Sequence, residues 1–288
     1  MKIALGTAQF GLNYGIANLN GQIAEKHVND ILFHANYSGI DTLDTAAAYG
    51  NSEACLGRAV TDSFKIITKL DSIPFNNTNT YDWALQQLEI SLAKLNKKSI
   101  YGILLHRPQE LLGPSGADLY KALKAFKEKG LVKKIGISIY SPNELEKLMQ
   151  KFTFDIVQSP LNLIDNRLVS SGWLDILNNN NVEVHTRSSF LQGLLLMKKK
   201  DIPQKFMTWN HIWQKWHNWL LLKKISPVEA CLAYPLSFSE INRVIVGVDS
   251  KSHLNEIISV ANKLKVDSFP EIGSSDQNLI NPAKWDKL

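Results

Sequence analysis

Four residues of this sequence have side chains suited to moving a proton onto a polarised oxygen: Asp44, Tyr49, Lys69 and His106. A phenol with a pKa of about 10 is a weak acid at neutral pH. An ammonium beside it stabilises the phenolate and would lower that pKa. A carboxylate fixes the ammonium in place and keeps it charged. An imidazole can donate a hydrogen bond to a carbonyl oxygen and orient it. Each residue alone has an ordinary structural use. Together they make a proton-transfer set, provided that the fold gathers them.

The positions of these residues suggest how they are gathered, because each lies at or just after the end of a short apolar run. Further polar residues fall at equivalent places: Ser138, Gln158 and Arg187, and the segment Gly247-Val248-Asp249-Ser250-Lys251. The runs read as eight strands, Lys2–Leu5, Asp41–Leu43, Lys65–Thr68, Ile100–Leu105, Lys134–Ser138, Asp155–Gln158, Val182–His185 and Arg243–Val246. Between most of them apolar residues recur at helical spacing, as in Val28, Ile31, Leu32 and Ala35, or Leu85, Leu88, Leu92 and Leu95. Ser141-Pro142-Asn143-Glu144 and Ser226-Pro227-Val228-Glu229 read as capping boxes. Gly39 and Gly130 stand where helix C-termini need a left-handed residue.

Eight strand–helix units in 288 residues, with no linker-like stretch, predict one domain over residues 1–288, a (β/α)8 TIM barrel of parallel strands. In that architecture the reactive groups lie at the C-terminal ends of the strands. The long last interval predicts a further helix over Gln204–Lys224. Its Trp209, Trp213 and Trp216 share one helical face. That stripe suits packing against the barrel; its other use would be an aromatic platform for a sugar ring.

Composition narrows the function classes. Hydrophobic residues make 44% and charged residues 20% of the chain, which suits a packed globular protein. The net charge of +5 comes from 32 basic and 27 acidic residues, without the basic face that nucleic-acid binding needs. The two cysteines, Cys55 and Cys231, lie in apolar stretches and read as buried thiols. The N-terminus lacks a signal-peptide core, and no run approaches a membrane span. These features predict a cytoplasmic protein with no nucleic-acid or membrane partner and no metal. They leave the oligomeric state open.

Longer motifs carry a resemblance to the aldo-keto reductase superfamily. Asp41 to Glu53 (DTLDTAAAYGNSE) resembles the family's D-T-A-x-x-Y-G-x-S-E signature. Gly6-Thr7-Ala8-Gln9-Phe10-Gly11 is similar to its opening strand and turn. Thr68-Lys69, Leu104-Leu105-His106-Arg107-Pro108, Gly130 to Ser138 (GLVKKIGIS), Val157 to Asn162 (VQSPLN) and Val244-Ile245-Val246-Gly247 resemble its later blocks. The resemblance implies that Asp44, Tyr49, Lys69 and His106 are the catalytic tetrad, with Tyr49 the general acid. It implies that Ser138 and Gln158 hold the amide of a nicotinamide.

Two departures stand out. Ile139 occupies a place where the family usually has Asn. Arg187 occupies one where the family often stacks a Tyr on the nicotinamide. The block Arg187 to Leu195 (RSSFLQGLL) is similar to a bacterial branch linked to surface-polysaccharide gene clusters. A phosphate is expected after strands seven and eight, at Gly247, Asp249, Ser250 and Lys251. Family habit, together with Ser250, Lys251 and His253, favours NADPH, whereas Asp249 keeps NADH as an alternative. The implied activity is reduction of an aldehyde, a ketone or an open-chain sugar, a small-molecule carbonyl substrate, by hydride transfer. The alternative on the same fold is a nicotinamide-binding sensor or regulatory subunit.

Overall fold

Eight parallel strands alternate with helices and close into a barrel in sequence order. The computed structural model describes residues 1–18, 21–263 and 266–288. In chain order the elements are β1 (Ile3–Gly6), α1 (Ala8–Gly11), α2 (Glu25–Tyr37), β2 (Thr42–Asp44), α3 (Ser52–Arg58), β3 (Lys65–Leu70), α4 (Thr80–Lys94) and β4 (Ile100–Leu105). There follow α5 (Gly116–Glu128), β5 (Val132–Ser138), α6 (Asn143–Lys151), β6 (Ile156–Pro160), α7 (Arg167–Ser170), α8 (Trp173–Asn179) and β7 (Glu183–Arg187). The chain ends with α9 (Asn210–Lys223), α10 (Pro227–Leu236), β8 (Ile241–Gly247), α11 (Lys251–Ala261) and α12 (Gln277–Ile280). Strands β1 and β8 close the barrel through the pairs Ile3↔Val244 to Gly6↔Gly247.

All eight expected strands are present, with shifted ends. β3, β6 and β7 run two residues further than the apolar runs do, to Leu70, Pro160 and Arg187. Ladder pairs such as Lys69↔Leu104 and Pro160↔Arg187 account for the extension. Lys69 and Arg187 therefore sit on strands rather than after them, where the backbone holds them more rigidly.

The helices bury their apolar stripes against the strands. Val28, Ile31, Leu32 and Ala35 of α2 are buried, and so are Leu88 and Leu92 of α4. A small cluster of Ile67, Leu104 and Ile156 is packed separately from this main core. At the opposite end from the site, charges pair across strand starts. Arg243 and Lys65 both bind Asp41, at 3.0 and 2.8 Å, and Lys134 binds Glu183 at 2.8 Å.

Ser226 and Glu229 form the expected reciprocal cap on α10. The other expected box is only half made. Glu144 accepts the Ser141 amide at 2.8 Å, but the Ser141 hydroxyl faces the Asn143 amide instead of that of Glu144. Pro142 already occupies the helical region there, so the turn starts one residue early. Gly39 and Gly130 take the left-handed backbone expected of them, with φ +81° and +69°.

The segment after β7 differs from the single helix expected over Gln204–Lys224. A 3-10 turn over Gln204–Trp209 precedes α9. Trp209 leaves helical geometry at φ −100°, ψ 28°, with its indole donating to Asp276 at 3.0 Å. Trp213 and Trp216 are buried and donate to the Phe206 and Leu195 carbonyls. All three indoles belong to a second core with Ile164, Phe206, Leu279 and Trp285. Their faces are spent on packing, which leaves no platform for a sugar. No helix among the described residues is long and apolar enough to cross a membrane.

Candidate active site

Asp44 ends β2, Lys69 is the penultimate residue of β3, and His106 follows β4 directly. The barrel brings them to one end, as successive strand ends must. Lys69 is 1% exposed, with its Nζ donating to Asp44 Oδ2 at 2.7 Å and to the Thr45 carbonyl at 2.9 Å. Gln158 Nε2 donates to the other carboxylate oxygen of Asp44 at 2.7 Å. The carboxylate is thus held on both oxygens, and it holds Lys69 in turn.

Tyr49 sits in the loop between β2 and α3. Close backbone packing fixes that loop. A Cβ on Gly11 would come within 1.8 Å of the Tyr49 carbonyl oxygen, and one on Gly50 within 2.4 Å of the Gly11 carbonyl oxygen. Gly50 also has φ +57°, the left-handed region that favours glycine. The Lys69 ammonium lies 5.0 Å from the centre of the Tyr49 ring. The His106 ring stands edge-on to Tyr49 with centroids 6.1 Å apart. The structure therefore assembles the four residues picked out for proton transfer.

Their electrostatics differ from the expectation in one respect. Burial raises the Tyr49 hydroxyl well above the usual phenol range, and the Asp44 carboxylate raises it further. Arg187 is the group that pulls it down. The expected net lowering is not met, because burial and the Asp44 carboxylate, which also pairs with Lys69, outweigh any pull from the ammonium. Burial also lowers Lys69, against the opposing pull of Asp44. Burial, with the positive charges of Lys69 and Arg187, lowers His106 to about 4. At neutral pH the site thus holds a protonated phenol and a neutral imidazole.

The depressed His106 gives a testable pH dependence. Its folded pKa lies below the ordinary value of 6.5, so the unfolded chain binds the proton first. Stability contributed by the neutral ring is complete above pH 6.5 and is lost as the pH falls towards about 4. Denaturant unfolding across that window is expected to show this loss, flattened in His106→Gln. An equal slope in both proteins would count against a neutral, buried His106.

Next to the acid site, Ser138 and Gln158 pair across β5 and β6, with Ser138 Oγ donating to Gln158 Oε1 at 3.1 Å. Both are buried. A carboxamide needs one acceptor and one donor. The remaining lone pair of Gln158 Oε1 and the rotatable Ser138 hydroxyl supply them. The Ile139 side chain is wholly buried and offers no polar group, but its carbonyl accepts from Arg187 Nη2 at 3.0 Å.

Beyond β8, Gly247 packs against the end of the Gln9 side chain, which a Cβ would push aside. Ser250 caps α11 by accepting the His253 amide at 3.2 Å. Lys251, exposed, is the first residue of that helix, whose leading amides have no acceptor within the helix. Asp249 pairs with His253 at 2.7 Å. An anion at this terminus would meet backbone amides and Lys251, with the Asp249 carboxylate already engaged. The residues at both places fit a nicotinamide nucleotide.

Two tyrosines of the site were not singled out by sequence reasoning. Tyr140 stacks under Arg187, with Cζ 4.8 Å from the ring centre. Tyr14, in the loop after α1, interacts electrostatically with Tyr49 and Arg187, and its hydroxyl accepts from Gln192 at 3.4 Å. Tyr140 carried a signal of placement alone, two residues past the candidate Ser138; Tyr14 carried none, since it follows α1 and no candidate stood at the end of β1.

Residues 2–277 match the model of the aldo/keto reductase family. Over 139 residues the chain is 30% identical to D-arabinose 1-dehydrogenase of Saccharomyces cerevisiae, a stretch covering 44% of this chain and 42% of the yeast protein. A second partial match, to a Mycobacterium aldo-keto reductase, covers 41% of that protein. Oxidoreductase YqkF of Bacillus subtilis, itself uncharacterised, is 24% identical over 285 residues, 91% of each chain. Among solved structures, aldo-keto reductase AKR11C1 of Bacillus halodurans superposes with a TM-score of 0.74 at 17% identity, covering 92% of this chain and 88% of that one. With the family model spanning nearly its whole length, the chain belongs to the aldo/keto reductase family.

Proposed function

We propose that this protein is a nicotinamide-dependent carbonyl reductase in which Tyr49 is the general acid. The observation that carries the reading is the buried Asp44–Lys69 pair beneath the Tyr49 ring, with His106 edge-on to it. Ser138 and Gln158 receive the nicotinamide amide, and the α11 terminus with Gly247, Ser250 and Lys251 receives a phosphate. A reduced nicotinamide bound there supplies hydride to the carbonyl carbon.

The chain's own residues handle the oxygen. Neutral His106 donates a hydrogen bond to the carbonyl oxygen and fixes its direction. The raised Tyr49 hydroxyl is fully protonated at neutral pH, so it is always ready to give its proton. A developing alkoxide is a far stronger base than a phenolate, so transfer to it runs downhill. The phenolate left on Tyr49 is then stabilised by the Lys69 ammonium and the Arg187 guanidinium.

NADPH is the nucleotide this reading favours, with Lys251 and Ser250 as donors to its 2′-phosphate, the His253 ring being engaged by Asp249. NADH is the second reading, because Asp249 lies in the same turn and could accept ribose hydroxyls. The test is a panel of aldehydes, ketones and aldoses with each nucleotide, monitored by loss of nicotinamide absorbance. Turnover with NADPH in preference to NADH is expected. Nucleotide binding without turnover on any carbonyl would favour the regulatory alternative.

A further inference from the structure

Arg187 is a cation of the pocket that forms no ion pair among the described residues. Lys69 has Asp44. Arg167, on the same rim, holds Asp165 at 2.8 Å and donates to the Tyr140 carbonyl at 2.9 Å. Arg187 has only neutral partners: the Ile139 carbonyl at 3.0 Å, the Ser188 hydroxyl at 3.2 Å and the face of Tyr140. It is half-buried, so its charge is not fully screened by water.

The fold holds this charge in place deliberately. Ser188, Leu191 and Gln192 all adopt left-handed backbone, with φ of 64°, 48° and 53°. Three such non-glycine residues in one turn store strain at the site. Asn162 Nδ2 pins the Ser188 carbonyl at 3.0 Å. The guanidinium ends against the backbone of Ile139, the residue that follows Ser138. It therefore adjoins the Ser138–Gln158 pair, and its field reaches both Tyr49 and His106.

We propose that Arg187 makes the pocket select the reduced, neutral nicotinamide over the oxidised, cationic one. The proposal rests on the assignment of Ser138 and Gln158 to the nicotinamide amide. The two nucleotide states share adenosine, ribose and phosphates, and differ at the ring by one positive charge. An unpaired guanidinium beside the ring repels only the oxidised state. The pocket thereby retains the hydride donor and expels the spent nucleotide, which commits the protein to reduction.

The test titrates the intrinsic tryptophan fluorescence with NADPH and with NADP+, and repeats the pair with NADH and NAD+. Wild type is expected to bind the reduced form about tenfold or more tightly, the scale of one unpaired charge in a partly solvated pocket. Arg187→Gln keeps a donor for the Ile139 carbonyl and removes the charge, so the ratio should fall to about twofold or less. Arg187→Lys keeps the charge and should keep the ratio, which guards against a Gln variant that folds poorly. Equal weakening of both forms in Arg187→Gln, or an unchanged ratio, would overturn the proposal. Wild type binding both forms equally would overturn it while leaving the cofactor assignment intact. Wild type binding neither form would remove the cofactor assignment, and the proposal with it.

Discussion

Replacing Tyr49 with Phe should lower carbonyl reduction by about 10²–10⁴-fold, the contribution of a positioned general acid. The substitution removes one oxygen and little else. The ring keeps its edge-on contact with His106 and its place over Lys69, because the loop is fixed by the Gly11 and Gly50 backbone contacts rather than by the hydroxyl. Nucleotide affinity should therefore stay within about twofold, as Ser138, Gln158 and the α11 terminus are untouched. The loss should appear in kcat rather than in binding. Steady-state kinetics with nucleotide titration separate the two, and activity of Tyr49→Phe within threefold of wild type would remove Tyr49 as the acid.

Lys69→Met should have the second large effect, and a double one. Lys69 and Asp44 form a pair buried almost completely from solvent. Removing the cation leaves a buried carboxylate whose remaining side-chain donor is Gln158. Breaking one side of a buried pair costs about 3–5 kcal/mol of stability. The same unopposed carboxylate raises Tyr49 further and removes the charge that would receive the phenolate. Activity at pH 7 should fall sharply, and the limb of the pH–rate profile that reports Tyr49 should move to higher pH. Adding Asp44→Asn to Lys69→Met should restore most of the stability without restoring activity. Recovery of both would mean that the pair is structural only, and an unchanged profile with full activity would place Lys69 outside the chemistry.

The sequence made the barrel legible because parallel strands buried on both faces leave short apolar runs, and the helices between them leave 3.6-residue stripes. Asp44, Tyr49, Lys69 and His106 could be named together because barrel closure puts successive strand ends side by side. The contacts between them were less legible. Gln158 binds Asp44 from the far side of the barrel, a link that no local spacing encodes. The upward shift of Tyr49 depends on how deeply the loop seats it and on the nearby Asp44 carboxylate, both of which are products of packing. Tyr140 beneath Arg187 joins β5 to β7 across the rim. The start of α9 was misplaced because Trp209, apolar and in phase, is drawn out of the helix by Asp276 far along the chain.

The central claim is that this pocket passes hydride to a carbonyl carbon while Tyr49 protonates the oxygen. The most direct measurement incubates wild type and Tyr49→Phe with NADPH dideuterated at C4 and an aldehyde, and determines deuterium in the alcohol by mass spectrometry. One deuterium on the carbinol carbon is expected with wild type, and product reduced by two or more orders of magnitude with Tyr49→Phe. Alcohol formed by wild type without deuterium at that carbon, or labelled equally fast by Tyr49→Phe, would contradict the claim.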